Sequence, residues 1–139
     1  MIVLDTNVLS ALMRQNPEQP VVDWLDRQPW MSVWTTSITI LEIRFGLQTL
    51  PLGRRRWYLI DTFEKVILEK LERRIAAFDQ PAADQAAELM ASRKKKGHPG
   101  DLRDTMIAGI VLAHGATLAT RNVQHFSDLS LNIVNPWAA

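Results

Sequence analysis

The sequence predicts an α/β fold in which helices cover both faces of a mostly parallel central sheet. Three observations lead there. Short apolar runs alternate with segments of helical periodicity along the whole chain. Those runs are apolar at odd and even positions alike, as strands covered on both faces require. Strands separated by helices also need crossover connections, which make neighbouring strands parallel.

The elements follow in order. Met1-Ile2-Val3-Leu4 reads as a short buried strand, and Asp5-Thr6-Asn7 supplies a cap for the helix after it. Val21, Val22 and Leu25 have helical spacing after the break at Pro17 and Pro20. Ser32 to Thr36 is strand-like, and Thr36-Ser37 caps a helix with Ile38, Leu41, Phe45 and Leu50 on one side and Glu42 among them. Pro51-Leu52-Gly53 breaks the chain. Arg54 to about Leu71 then carries Leu59, Phe63, Ile67 and Leu71 at i+4 spacing, which predicts a long amphipathic helix. Ile75 to Phe78 reads as a third strand stopped by Asp79-Gln80-Pro81, and Ala82 to about Lys96 as an alanine-rich helix ended by Gly97. After the His98-Pro99-Gly100 loop comes a helix over Asp101 to His114, closed by Gly115. Thr117 to Ala119 and Leu131 to Val134 are the last two strands.

With 139 residues the chain corresponds to a single domain, 1–139, at roughly 150 residues per domain. Its 47% apolar and 22% charged residues exclude a disordered chain. A net charge of +1 gives no protein-wide field for nucleic acid, so such binding must come from local patches. Cysteine is absent, which removes disulfides, thiolate nucleophiles and Cys-based zinc sites. Any metal would be held by oxygen or histidine. The apolar start meets Asp5 at once, unlike a signal peptide, and no run approaches the roughly 20 apolar residues of a membrane span. A cytoplasmic protein with no membrane partner is the expectation.

In an open parallel sheet, ligands collect beyond the carboxyl ends of the strands. Asp5 ends the first strand, Asn122 lies just past Thr117 to Ala119, and Glu42 and Asp104 fall on helices whose side chains can reach the same edge. Carboxylates gathered there would raise one another's pKa unless a cation offset them. Mg²⁺ or Mn²⁺ suits such an oxygen-rich site, and the chemistry suits phosphodiester hydrolysis without a Ser, Cys or His nucleophile.

At these residues the chain resembles the PIN-domain ribonucleases, most closely the VapC-type toxins of prokaryotic toxin–antitoxin pairs, including the FitB-like branch. The likeness runs through MIVLDTNVLS, TTSITILEIRFGL, DLRDTMIAGIVLAHGATLATRN and VNPW. It implies a PIN-like three-layer α/β/α sandwich and a metal-dependent endoribonuclease, with Asp5, Glu42 and Asp104 as catalytic, metal-binding acids. Thr6, Asn7, Asp101, Thr120 and Asn122 are the expected supporting residues, and Arg121 a phosphate contact. Many members carry a fourth acid at the position of Asn122, so one charge is missing here. The resemblance further implies a homodimer, an RNA substrate, a VapB-like antitoxin, and promoter DNA bound only through the antitoxin complex.

Simpler readings stand beside these. Asp5 alone reads equally as an N-cap, and Asp101-Leu102-Arg103-Asp104 has capping-box spacing, which favours a cap role for Asp101. Glu42 would by default face solvent, although Gly46 one turn on leaves room for a ligand. Asn122 alone reads as a turn residue, and Arg121 equally as the partner of a site acid. His98, His114 and His125 read as loop, helix-end and surface residues, and Arg54-Arg55-Arg56 and Arg93-Lys94-Lys95-Lys96 as solvated charge runs. The tryptophans read as core or interface, with Trp57 and Tyr58 candidates for a partner groove. Two other functions compete: a catalytically weak PIN-fold interaction module, and a phosphotransfer or phosphatase domain using Asp5 as nucleophile.

Overall fold

The computed structural model describes residues 1–139. Five parallel strands, β1 (Ile2–Leu4), β2 (Val33–Thr36), β3 (Ile75–Ala76), β4 (Thr117–Ala119) and β5 (Asn132–Val134), lie in the order β3-β2-β1-β4-β5. Helices α1 (Thr6–Leu12) and α2 (Gln19–Asp26) join β1 to β2, and α3 (Ser37–Thr49) and α4 (Arg54–Lys65) join β2 to β3. Helices α5 (Gln80–Lys95) and α6 (Leu102–His114) join β3 to β4, and only a 3₁₀ turn, Val123–Phe126, lies between β4 and β5. No helix is long and apolar enough to cross a membrane.

The strands are apolar at both parities because each face has its own core. Val3 packs with Ile107, Ile110 and Leu118 on the α5–α6 side, while Leu4 packs with Val8, Leu9, Phe63 and Leu71 on the other. Burying each such side chain contributes about 1.5–3 kcal/mol, and the result is a three-layer α/β/α sandwich. The alanine content of α5 has a specific use. A Cβ added to Gly109 of α6 would stand 2.5 Å from the Ala82 carbonyl oxygen and 2.9 Å from the Ala86 Cβ. Small residues on both helices let their backbones approach closely.

Several elements depart from expectation. The helix expected over Arg54 to Leu71 is α-helical only to Lys65 and continues as a π turn over Val66–Lys70. Leu59, Phe63, Ile67 and Leu71 recur every four residues, a longer period than the α-helix, and one wider i+5 turn keeps Ile67 and Leu71 on the core side. Leu71 N–H accordingly donates to the Val66 carbonyl at 3.0 Å. The inward face of α3 is Ile38, Thr39, Ile43 and Leu47, whereas Leu41 and Phe45 are 56% and 64% exposed. Apolar residues alone misplace this face, because Thr39 is fully buried through hydroxyl contacts. Strand β3 stops at Ala76 since its partner β2 ends at Thr36, and Phe78 N–H turns to the Ser37 hydroxyl at 3.1 Å. Helix α5 starts at Gln80, earlier than expected. Asp79 caps the Ala82 N–H, and Pro81 sits in the first turn, where a missing N–H costs nothing. Of the tryptophans, Trp24 is core, while Trp30 and Trp57 are more than half exposed.

Candidate active site

Strand order reverses at β1, with β2 and β3 to one side and the later strands β4 and β5 to the other. The crevice at the carboxyl ends of β1 and β4 is therefore the switch point of the sheet. Asp5 leaves β1 there and Thr120 leaves β4. One carboxylate oxygen of Asp5 accepts from Thr120 Oγ1 at 2.7 Å and Asn7 Nδ2 at 3.3 Å, and the other accepts from Thr6 N–H at 2.8 Å. Asp5 caps α1, as the simpler reading has it, and also forms the floor of the crevice. Burial raises its pKa above the ordinary carboxylate value. The hydrogen bonds from Thr120, Thr6 and Asn7 oppose that rise, and the charge of Asp104 adds to it.

Glu42 comes in from α3, its side chain 20% exposed rather than facing solvent. Its Oε1 accepts from Thr6 Oγ1 at 3.0 Å, and its Oε2 lies 3.9 Å from Arg103 Nη1. Its pKa is also raised by burial. Thr6 and Arg103 pull it back, and Asp5 and Asp104 push it further up. The Thr6 hydroxyl lies 3.2 Å from that of buried Thr39, which is bonded in turn to Thr36 at the end of β2. A chain of threonine hydroxyls thus links β2, α3 and α1 beneath the acids. Gly46 has open space where a Cβ would stand, and it lines a hollow shared with Thr6, Glu42 and Arg55.

Asp104 lies in the first turn of α6. Asp101 caps that helix as expected, its Oδ1 accepting from Arg103 N–H at 2.9 Å and Asp104 N–H at 3.1 Å. The Asp104 carboxylate does not return to the cap, as a capping box would have it. Instead its Oδ2 stands 3.0 Å from Nδ1 of His125. Asn122 is exposed, and its backbone N–H donates to Thr120 Oγ1 at 3.1 Å. Asn7 ties the two loops together by accepting from Arg121 N–H at 3.1 Å while donating to Asp5. The Arg121 guanidinium lies 4.9 Å from the centre of the Trp137 ring.

The acids separated in sequence therefore share one edge of the sheet, each within electrostatic range of the others. As their side chains stand, no three acidic or histidine residues are close enough together to ligate one ion. Their oxygens are turned to Thr120, Thr6, Arg103 and His125. The donor set nevertheless suits a hard divalent cation: it is all oxygen, the charge of Asp104 helps to raise the pKa of both Asp5 and Glu42, and Arg103 is the one cation within 4.0 Å of Glu42. Mg²⁺ commonly takes only one or two carboxylates and keeps several waters, so a closed cage is not required.

The chain matches the PIN domain family over residues 2–130. It belongs to that family. It is 39% identical to the VapC ribonuclease Y4jK of Sinorhizobium fredii over 137 residues, covering 99% of this chain and 98% of that one. It is 35% identical to the toxin FitB of Neisseria gonorrhoeae over 137 residues, with 99% of each chain covered. Among solved structures, FitAB bound to the IR36 DNA fragment superposes with a TM-score of 0.88 at 35% identity, covering 99% of this chain and 96% of that one.

One residue of this PIN domain was misread from sequence, and the partner of another went unread. His125 is on the surface as expected, and it is also the partner of Asp104. No local pattern announces that contact, because it depends on how the β4–β5 connection folds back over α6. Arg93 is no part of a solvated run: it is 3% exposed. Its Nε and Nη2 bond both oxygens of Asp128 at 2.9 and 3.0 Å, Nη1 bonds Thr105 Oγ1 at 2.8 Å, and Nη2 bonds the His125 carbonyl at 3.1 Å. A signal for this existed. Ala82, Ala86, Leu89 and Arg93 are the buried stripe of α5 at helical spacing. A more apolar hollow of about 350 Å³ between α2 and the π turn contains none of the site acids.

Proposed function

We propose that this PIN domain is a metal-dependent endoribonuclease and the toxin of a type II toxin–antitoxin pair. The observation that carries this reading is that Asp5, Glu42 and Asp104 lie within electrostatic range of one another at the switch point, with burial first and then their mutual repulsion raising the pKa of Asp5 and Glu42. Asp5, Asp104 and Glu42 would hold Mg²⁺ or Mn²⁺. The ion supplies charge neutralisation at the phosphate and a lowered pKa for the attacking water.

The chain's own residues prepare that chemistry. Thr120 and the Thr6 N–H fix the Asp5 carboxylate, the Thr6 hydroxyl orients Glu42, and Asp101 sets the first turn of α6 from which Asp104 projects. Arg103, its side chain about half exposed, stands where it can meet a phosphate oxygen without leaving Glu42. A phosphoenzyme route through Asp5 fits less well, because that carboxylate is buried and both its oxygens are engaged. The names of the relatives support RNA as substrate and an antitoxin as partner. The FitAB–DNA complex accords with DNA, proposed here to be promoter DNA, being bound only through the toxin–antitoxin pair, and a homodimer accords with the same family.

End analysis of RNA cut by the purified protein tests the reading. Hydrolysis by an activated water leaves 5′-phosphate and 3′-hydroxyl ends and stops in EDTA. A 2′,3′-cyclic phosphate product, or cleavage undiminished by EDTA, would overturn it.

A further inference from the structure

Beyond His125, the partner of Asp104, lies a second cleft that none of Asp5, Glu42 and Asp104 lines. It lies between the end of α5, the loop at His98 to Gly100, and the 3₁₀ turn after β4, and has a volume of about 360 Å³. No apolar residue lines it. Lys96, His98, Gln124 and Ser127 form its walls, and His125, the partner of Asp104, stands on the border with the site. Gln124 and His125 also line an adjoining hollow with Arg121, Asn122 and Val123, so two mainly polar hollows run from the end of β4 to Lys96 and share His125, the partner of Asp104.

The base of this cleft is rigid and its charge is settled. Arg93 and Asp128 pair through two hydrogen bonds there, and the Arg93 guanidinium holds the Asp128 carboxyl below its ordinary pKa, so that acid stays ionised. Gly100, at φ +70°, lets the loop close over the guanidinium: a Cβ there would stand 2.8 Å from Arg93 Nη1. One acid thus faces two cations. Arg93 satisfies it directly, and Lys96, close enough to stabilise the same carboxylate, has no ion-pair partner within 4.0 Å. The surplus charge is positive, on a polar surface that leads directly out of an acidic cleavage site.

We infer that this cleft holds the backbone of the single-stranded RNA beside the scissile bond, with Lys96 meeting a flanking phosphate and His98 and Gln124 hydrogen bonding to phosphate or sugar. The inference rests on the ribonuclease reading and gives it a strand path. Acids at the cleavage point repel the polyanion they cut, and a cation just outside them offsets that repulsion. The basic run seen in the sequence is thereby divided by geometry: Arg93 is structural, Lys96 contacts RNA, and Lys94 and Lys95 remain solvated.

Binding of a short mixed-sequence single-stranded RNA, measured in EDTA across a salt series, tests this. Lys96→Ala weakens binding by about threefold to tenfold and lowers the slope of log K against log salt by about 0.7, the value for one phosphate on a single strand. His98→Ala adds a further loss, while Lys94→Ala and Lys95→Ala leave affinity and slope at wild-type values. Equal losses from Lys94, Lys95 and Lys96 would overturn the cleft in favour of a diffuse basic face. So would an equal loss of affinity for a polyglutamate peptide of matched charge, which would mark a site for an acidic protein segment. Both leave the nuclease reading standing, whereas a wild-type protein that neither binds nor cuts RNA removes it.

Discussion

At the floor of the crevice Asp5 is 3% exposed and takes hydrogen bonds from Thr6, Asn7 and Thr120, all placed by the ends of adjacent strands. At the rim the Asp104 side chain is 22% exposed and has one side-chain partner, His125, which is itself 56% exposed. The floor is fixed by the sheet, because Leu4 pairs with Ala119 at the end of the parallel β1–β4 ladder and so sets Asp5 and Thr120, the next residue of each strand, side by side. The rim depends on a helix start and a short turn, tied down from behind by Arg93. A floor held by several hydrogen bonds and a rim held by one suit the proposed function, in which an ion and a polymer would bind and leave in turn.

The largest difference from wild type should come from the acids themselves. Asp5→Asn and Asp104→Asn each reduce RNA cleavage by about a thousandfold or more, as loss of charge stabilisation at the reacting phosphate requires. Circular dichroism should show the fold retained in both. If either variant cleaves at the wild-type rate, the residue concerned is not part of the site.

The support of the rim comes next. Asp128→Ala leaves the buried Arg93 guanidinium without its carboxylate and costs about 3 kcal/mol, the low end for breaking a buried pair, because Asp128 itself is 37% exposed on its side chain. Denaturant unfolding measures this. A loss within experimental error would mean that the turn carrying His125 is held by something else.

A smaller effect separates floor from rim by the sign of its pH dependence. Asp5 and Glu42 have raised pKa values in the folded protein, so the folded state binds their protons more tightly than the unfolded chain does. Their contribution to stability is greatest below the ordinary values of 3.8 and 4.5 and declines as pH rises through the raised ones. Asp128 behaves oppositely. Its lowered pKa gives stability that is present above 3.8 and lost as pH falls through the folded value. In metal-free protein, Asp5→Asn should flatten the decline on the rising side and Asp128→Asn the loss on the acid side. Unfolding free energies measured across both windows check the pair, and the same slope in both variants would contradict the contrast.

The same contrast explains what could be read in the sequence. The floor is written in local patterns, an apolar strand followed by Asp5-Thr6-Asn7 and a second strand followed by Thr120, which parallel pairing then brings together across 115 residues. Glu42 was recognisable, but its helix face was not, because buried Thr39 carries no apolar label and the exposed Leu41 and Phe45 do. The rim has no such pattern. Arg93 looks like one cation among several until the stripe of α5 is followed to its end, and the His125 contact depends on a turn whose course no periodicity encodes. The π turn in the helical region after Lys65 lies between these cases: the four-residue spacing from Leu59 to Leu71 was visible, and its conflict with the α-helical period was the clue to the wider turn.

The account depends on acids from three elements acting on one cation. Mn²⁺ titrated into the wild-type protein and into Asp5→Asn, Glu42→Gln and Asp104→Asn, followed by calorimetry, reads this without any RNA. Saturable binding in the wild type, weakened in every variant, is the predicted result. Binding of unchanged affinity in all three variants would contradict it.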